Sequence, residues 1–90
     1  MLKTHIGEFV YVIAGRDKGK CLIVLFVDDT FLYVCDGKRR KVDIPKKKNI
    51  KHLSFTGEFD SFILDKLSKD EKPTNKEIKQ SIKNFLGNKK

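Results

Sequence analysis

No stretch of this chain approaches the ~18 consecutive apolar residues that a membrane-spanning helix requires. The longest apolar run, Cys21-Leu-Ile-Val-Leu-Phe-Val27, has seven positions. Met1-Leu-Lys-Thr-His-Ile6 is too short and polar for a secretory signal, so a cytoplasmic protein is expected. Only two cysteines are present, Cys21 and Cys35, both inside apolar runs where a reduced thiol behaves as a small hydrophobe. They could also meet across adjacent strands as a disulfide. No Cys-x-x-Cys or paired-His spacing accompanies them, so neither a metal nor another cofactor is expected. No Ser–His–Asp or Cys–His grouping emerges, and Asp28, Asp29 and Asp36 read as turn formers. Gly15-x-x-x-Gly19-Lys20 lacks the spacing of a nucleotide-binding phosphate loop. An enzyme is not expected. Internal repeats and low-complexity segments are missing as well.

What is present is charge. The 90 residues form one small domain, 39% hydrophobic with seven Phe, and 36% charged. The net charge of +8 is unevenly spread. Residues 1–37 sum to −1, residues 52–90 to +2, and residues 38–51 alone to +7, with eight cations against Asp43. Such a block favours a polyanion, either nucleic acid or an acidic membrane surface. The lysines fall in loops, and no basic amphipathic helix supports the membrane alternative.

Short strand signals separated by turns point to a small antiparallel barrel. The expected strands are Glu8–Ile13, Lys20–Val27, Phe31–Cys35, a short one over Arg40–Ile44 that stops at Pro45, and Ile50–Phe55. Asp28-Asp29-Thr30 is a turn, Asp36-Gly37 the strongest hairpin signal, and Lys46–Asn49 a loop. The strands are apolar at successive positions, so both faces should be covered. Two helices can cover the outer one. Phe59, Phe62, Ile63 and Leu67 make one apolar face. Thr74-Asn-Lys-Glu77 fits a capping box, followed by a stripe of Ile78, Ile82, Phe85 and Leu86 and by Gly87 as a C-cap. The expected division is a barrel over residues 1–56 and a helical extension over 57–90, with Asn88–Lys90 frayed. Phe26, Phe31, Tyr33 and Phe55 are expected in the core rather than on a stacking platform.

The most informative stretch is Gly7-Glu-Phe-Val-Tyr-Val-Ile-Ala-Gly-Arg-Asp-Lys-Gly-Lys20, a strand running into a tight polar turn. Gly15 and Gly19 allow the sharp fold, and Asp17 can accept bonds from nearby backbone N–H groups. Arg16, Lys18 and Lys20 then stand on a rigid tip. Residues 7–33 resemble the KOW motif of ribosomal and transcription-elongation proteins, with Gly19 at the loop glycine. Together with Asp36-Gly-Lys-Arg-Arg-Lys41 and Pro45-Lys-Lys-Lys-Asn-Ile-Lys-His-Leu53, the chain resembles the fourteenth large-subunit ribosomal protein family of archaea and eukaryotes. It is most similar to small bacterial KOW-domain RNA-binding proteins. Leu22 departs from the second glycine that many KOW proteins carry.

The resemblance implies an SH3-like barrel that binds ribosomal RNA of the large subunit through its loops, as a ribosomal or ribosome-associated protein. The expected RNA-binding residues are Gly15, Arg16, Lys18, Gly19 and Lys20 in the first turn, then Lys38, Arg39, Arg40, Lys41, Lys46, Lys47, Lys48 and Lys51. Arg39 and Arg40 can pair bidentately with phosphate or stack on a base. Ribosomal proteins are possible further partners, and the free chain is expected to be a monomer. The alternative is a protein-binding KOW module of a transcription or translation factor. If all eight cations of residues 38–51 met phosphates, the salt slope would be roughly −6, and replacing Lys46, Lys47 and Lys48 by Gln would flatten it by about two.

Overall fold

In the computed structural model, which describes residues 2–87, a 3₁₀ turn at Leu2–His5 precedes five strands and two helices. The strands are β1 (Glu8–Val12), β2 (Cys21–Asp28), β3 (Phe31–Cys35), β4 (Lys46–Asn49) and β5 (Leu53–Phe59). They form one antiparallel sheet in the order β4-β3-β2-β1-β5. A second 3₁₀ turn, Ile50–His52, joins β4 to β5, and α1 (Ser61–Ser68) and α2 (Asn75–Gly87) follow. Hydrogen bonding does not close the sheet, because β4 and β5 remain its edges. No helix among the described residues is long and apolar enough to cross a membrane. The expected fraying of Asn88–Lys90 lies outside the described residues.

Both sheet faces are apolar, as the continuous strands require, and they are covered differently. Phe9, Ile23, Leu25 and Cys35 pack with Ile63 of α1 and with Ile78, Ile82 and Phe85 of α2. Val10, Val12, Leu22, Val24, Leu32, Val34 and Leu53 form a second cluster made by the sheet itself. A bulge in β2 explains the loss of alternation there. Ile23 opposes Cys35 and Val24 opposes Val34, but Phe26 opposes Tyr33, so Leu25 is the extra residue. Leu25 and Phe26 therefore leave by the same face, the first into the core and the second to a cleft beside the α1–α2 connection. Phe26 stays 48% exposed, stacked on Tyr33 at 4.3 Å between ring centroids. That corrects the core position expected for Phe26.

The helices dock through short polar devices. Asp60 caps α1, its carboxylate accepting from the Ile63 N–H at 2.9 Å and also from the Ser81 hydroxyl of α2. The Thr74 hydroxyl accepts from the Glu77 N–H at 3.1 Å while the Glu77 carboxylate accepts from the Thr74 N–H at 2.9 Å. The capping box is thus formed. Hydrogen bonds from the Thr74 N–H and Lys66 outweigh partial desolvation and hold the Glu77 carboxyl below its ordinary value. Ile78, Ile82 and Phe85 are buried, each worth about 1.5–3 kcal/mol of burial. The expected α1 face is only half used. Ile63 is buried and Leu67 half-buried, but Phe62 is exposed and Phe59 ends β5. The division expected at residue 56 falls inside β5.

The fourth strand is the main correction. Residues 37–45 are irregular, and β4 is Lys46–Asn49, the segment read as loop. Asp36 accounts for the difference. Its Oδ1 accepts from the backbone N–H groups of Lys38, Arg39 and Arg40 at 2.9, 3.0 and 2.9 Å, gathering those residues into a knuckle instead of a strand. Val42 turns into the core, Ile44 is left 79% exposed, and pairing with β3 resumes only at Lys46.

Candidate nucleic-acid interface

The first turn is built as its glycines require. Gly15 and Gly19 have φ of +90° and +92°, and the Gly19 N–H donates to the Val12 carbonyl at 2.7 Å while the Val12 N–H donates to the Lys20 carbonyl at 3.0 Å. Arg16, Lys18 and Gly19 are exposed at the tip, and Lys20 is half-buried. Asp17 behaves differently from the sequence expectation. It is buried, and its carboxylate reaches across to the second basic loop, where Oδ2 accepts from Arg40 Nε at 3.1 Å and Nη2 at 2.8 Å.

This bridge decides the electrostatics. Burial alone pushes the Asp17 carboxyl up, but the hydrogen bond and charge of Arg40, then the charges of Lys48 and Lys20, outweigh it and hold the group below its ordinary value. One buried carboxylate therefore sits among cations drawn from the first turn, the knuckle and β4. Lys48 is itself buried, and its Nζ would lie 3.8 Å from a Cβ added at Gly15. The exposed cations of these two loops are Arg16, Lys18, Lys38 and Arg39, with Lys41 exposed beyond the knuckle.

The expected patch is not one surface throughout. Directly opposed residues share a face of the sheet. Lys46 and Lys48 oppose Val34 and Leu32, whereas Lys47 opposes Tyr33 and stands over the Phe31 ring at 4.3 Å, on the other face. Lys51 is exposed on the 3₁₀ turn after β4. Two further lysines, Lys79 and Lys83 of α2, border a groove with Lys20 and Lys38. Their i, i+4 spacing was visible in the sequence, but nothing there said which loops the helix would meet.

The cysteines are both free. Burial pushes the Cys21 thiol up to about 11, and burial followed by the Asp36 charge pushes Cys35 up to about 12. Among the described residues no three His, Cys, Asp or Glu side chains gather as a metal site. His52, half-buried, accepts at its backbone carbonyl from the Ile13 N–H at 2.9 Å. Glu8 is the other buried carboxylate; it meets His5 Nδ1 at 2.5 Å and accepts from the Gly57 N–H at 2.7 Å. That pair fastens the chain ahead of β1 to the irregular middle of β5, away from the basic loops. Compared with models of known protein families the chain matches none, and no curated protein is significantly similar to it.

Proposed function

We propose that this chain is a non-enzymatic RNA-binding protein of SH3-like, KOW type. In this reading it attaches through its basic loops to ribosomal RNA of the large subunit, in the cytoplasm, as a ribosomal or ribosome-associated protein. The observation that carries the reading is the Asp17–Arg40 bridge between the two basic loops. Cations left to themselves repel and spread; a buried carboxylate beneath them keeps Lys20, Arg40 and Lys48 close. A cationic surface already fixed in shape loses little entropy on meeting phosphates. The strand order, with β5 reached from β4 through one 3₁₀ turn and pairing with β1, supports the SH3-like reading.

Attachment through phosphates weakens by about 0.7 log units per contact for each tenfold rise in salt on single strands. The protein should comigrate with large subunits in sucrose gradients, leave them in high salt, and bind deproteinised ribosomal RNA directly. Comigration without any binding to the naked RNA would overturn the reading. A protein-docking KOW module is the second possibility, favoured by one feature. Exposed Phe26, stacked on Tyr33, borders a cleft of about 400 Å³ lined by Ile6, Leu25, Val42, Leu67 and Pro73 together with the charged Asp70–Lys72 segment. Under that reading Phe26→Ala abolishes comigration and leaves any RNA affinity intact.

A further inference from the structure

At 100° per residue, Ile82, Leu86, Lys79 and Lys83 follow one another around an arc of about 100° on α2. The inner edge of this arc is in the core, since Ile82 is buried, and its outer edge is cationic. Leu86 lies between, 45% exposed. The arc forms one wall of a groove of about 620 Å³, with Lys20 of the first turn and Cys21 at the start of β2 on a second side and the knuckle, through Lys38, on a third. Four lysines thus face one cavity. The single acid there is Asp36, and its Oδ1 already accepts from three backbone N–H groups.

The walls are fixed to one another. Gly37, at φ +77°, lies so close to α2 that an added Cβ would strike the Asn75 carbonyl oxygen and come within 3.0 Å of Lys79 Cγ. The Val42 N–H donates to Asn75 Oδ1 at 2.8 Å, and Arg40 ties the same knuckle to the first turn. These contacts hold the knuckle against both α2 and the first turn.

We propose that this groove seats a single-stranded segment of RNA, with phosphates on Lys20, Lys38, Lys79 and Lys83 and a sugar or base edge against the Cys21–Ile82–Leu86 strip. The inference rests on the RNA-binding reading above and names the form of RNA that this part of the surface takes. Charge selects a polyanion, and the apolar strip selects among polyanions. A duplex turns its phosphates outward and keeps its bases stacked, so it would leave the strip wet; an unpaired segment can turn a base inward.

The test is fluorescence anisotropy with a short mixed-sequence oligoribonucleotide, alone and annealed to its complement, across a salt series. The wild type should bind the single strand more tightly. Lys79→Gln with Lys83→Gln should flatten the single-strand salt slope by about 1.4. Lys79→Arg with Lys83→Arg should keep the slope, and Lys69→Gln with Lys72→Gln, on the α1–α2 connection, should change it less. Leu86→Asn should weaken the single strand and spare the duplex. Lys79, Lys83 and Leu86 are exposed, so each variant should retain the wild-type circular dichroism. Equal slopes for the two Gln pairs, or a duplex bound as tightly as the single strand, would overturn the groove while leaving loop-mediated RNA binding standing. A wild type that binds neither RNA would overturn both.

Discussion

Asp17→Asn replaces one carboxylate oxygen by an amide NH2 at the junction of the two basic loops, and so isolates what the negative charge does. Wild-type Asp17 is 4% exposed and accepts two hydrogen bonds from the Arg40 guanidinium, at 2.8 and 3.1 Å. Hydrogen bonds to charged groups contribute about 1.5–3 kcal/mol net. The Arg40 side chain is 29% exposed and can recover water, which puts the loss near the lower end, about 1.5 kcal/mol. For a domain of this size that lowers Tm by roughly 6–12 °C. The pH dependence has a definite sign. The folded carboxyl is held below its ordinary value, so on acidification the unfolded chain takes up the proton first. The stabilisation is complete above the unfolded pKa of about 3.9 and disappears as pH falls through the folded value. Urea unfolding followed by circular dichroism should show the full gap between wild type and variant at neutral pH, narrowing once the pH drops below the unfolded value of about 3.9. A cycle with Arg40→Gln should return a coupling of about 1–2 kcal/mol. A gap under about 0.5 kcal/mol at neutral pH, a gap unchanged in acid, or an additive cycle would refute the bridge.

Gly37→Ala should cost about 2 kcal/mol or more, because it meets both an unfavourable φ and the Asn75 carbonyl; Gly19→Ala, at φ +92° in open space, should cost about 1–2 kcal/mol. Equal losses in thermal denaturation would show that the Gly37 contact is unimportant. Thr74→Ala removes half of the capping box and should lower stability by about 1 kcal/mol in urea titration, with the m-value unchanged. Both thiols should alkylate slowly with iodoacetamide near neutral pH, Cys35 more slowly than Cys21, and quickly in denaturant; rapid labelling of Cys35 in the native protein would contradict its burial.

Turn chemistry and periodicity made much of the fold legible. β1, β2, β3 and the start of α2 follow from glycines, Asp-rich turns and a capping box, all of which act within a few residues of themselves. β4 was not legible, because intrinsic preference pointed the wrong way. Val42 and Ile44 are β-branched and lie in a loop, while three lysines form the strand. As an edge strand, β4 needs only backbone pairing with β3, and lysine suits an edge that must not recruit another chain. Pro45 precedes this strand instead of ending one, a position that demands no donor. For the site, total charge and its concentration in residues 38–51 were readable. Partners distant in sequence were not. Asp17 looked like a local turn former, yet its hydrogen bonds go to a residue 23 positions away. The Phe26 side chain left the core because of a one-residue bulge that no alternation pattern announces.

The same register bears on how the charge can be used. Lys46, Lys47 and Lys48 read as one cationic run, for which three phosphate contacts flatten the single-strand salt slope by about two when all are changed to Gln. In β4 they are separated by the two-residue period of the strand. Lys47 shares a face with Tyr33 and covers Phe31, on the other side of the sheet from Lys46 and Lys48. Lys48 is 8% exposed and its charge is directed at Asp17. Only Lys46 is left to extend the surface of the knuckle and first turn. The triple substitution should therefore flatten the slope by about 0.7, half the change expected for Lys79 and Lys83 together. Lys48→Gln alone should raise the Asp17 pKa by removing one of the charges that lower it, which NMR titration of the carboxyl can read. A slope change near two would mean that all three lysines reach one phosphate chain, an arrangement that the pairing of Lys47 with Tyr33 forbids.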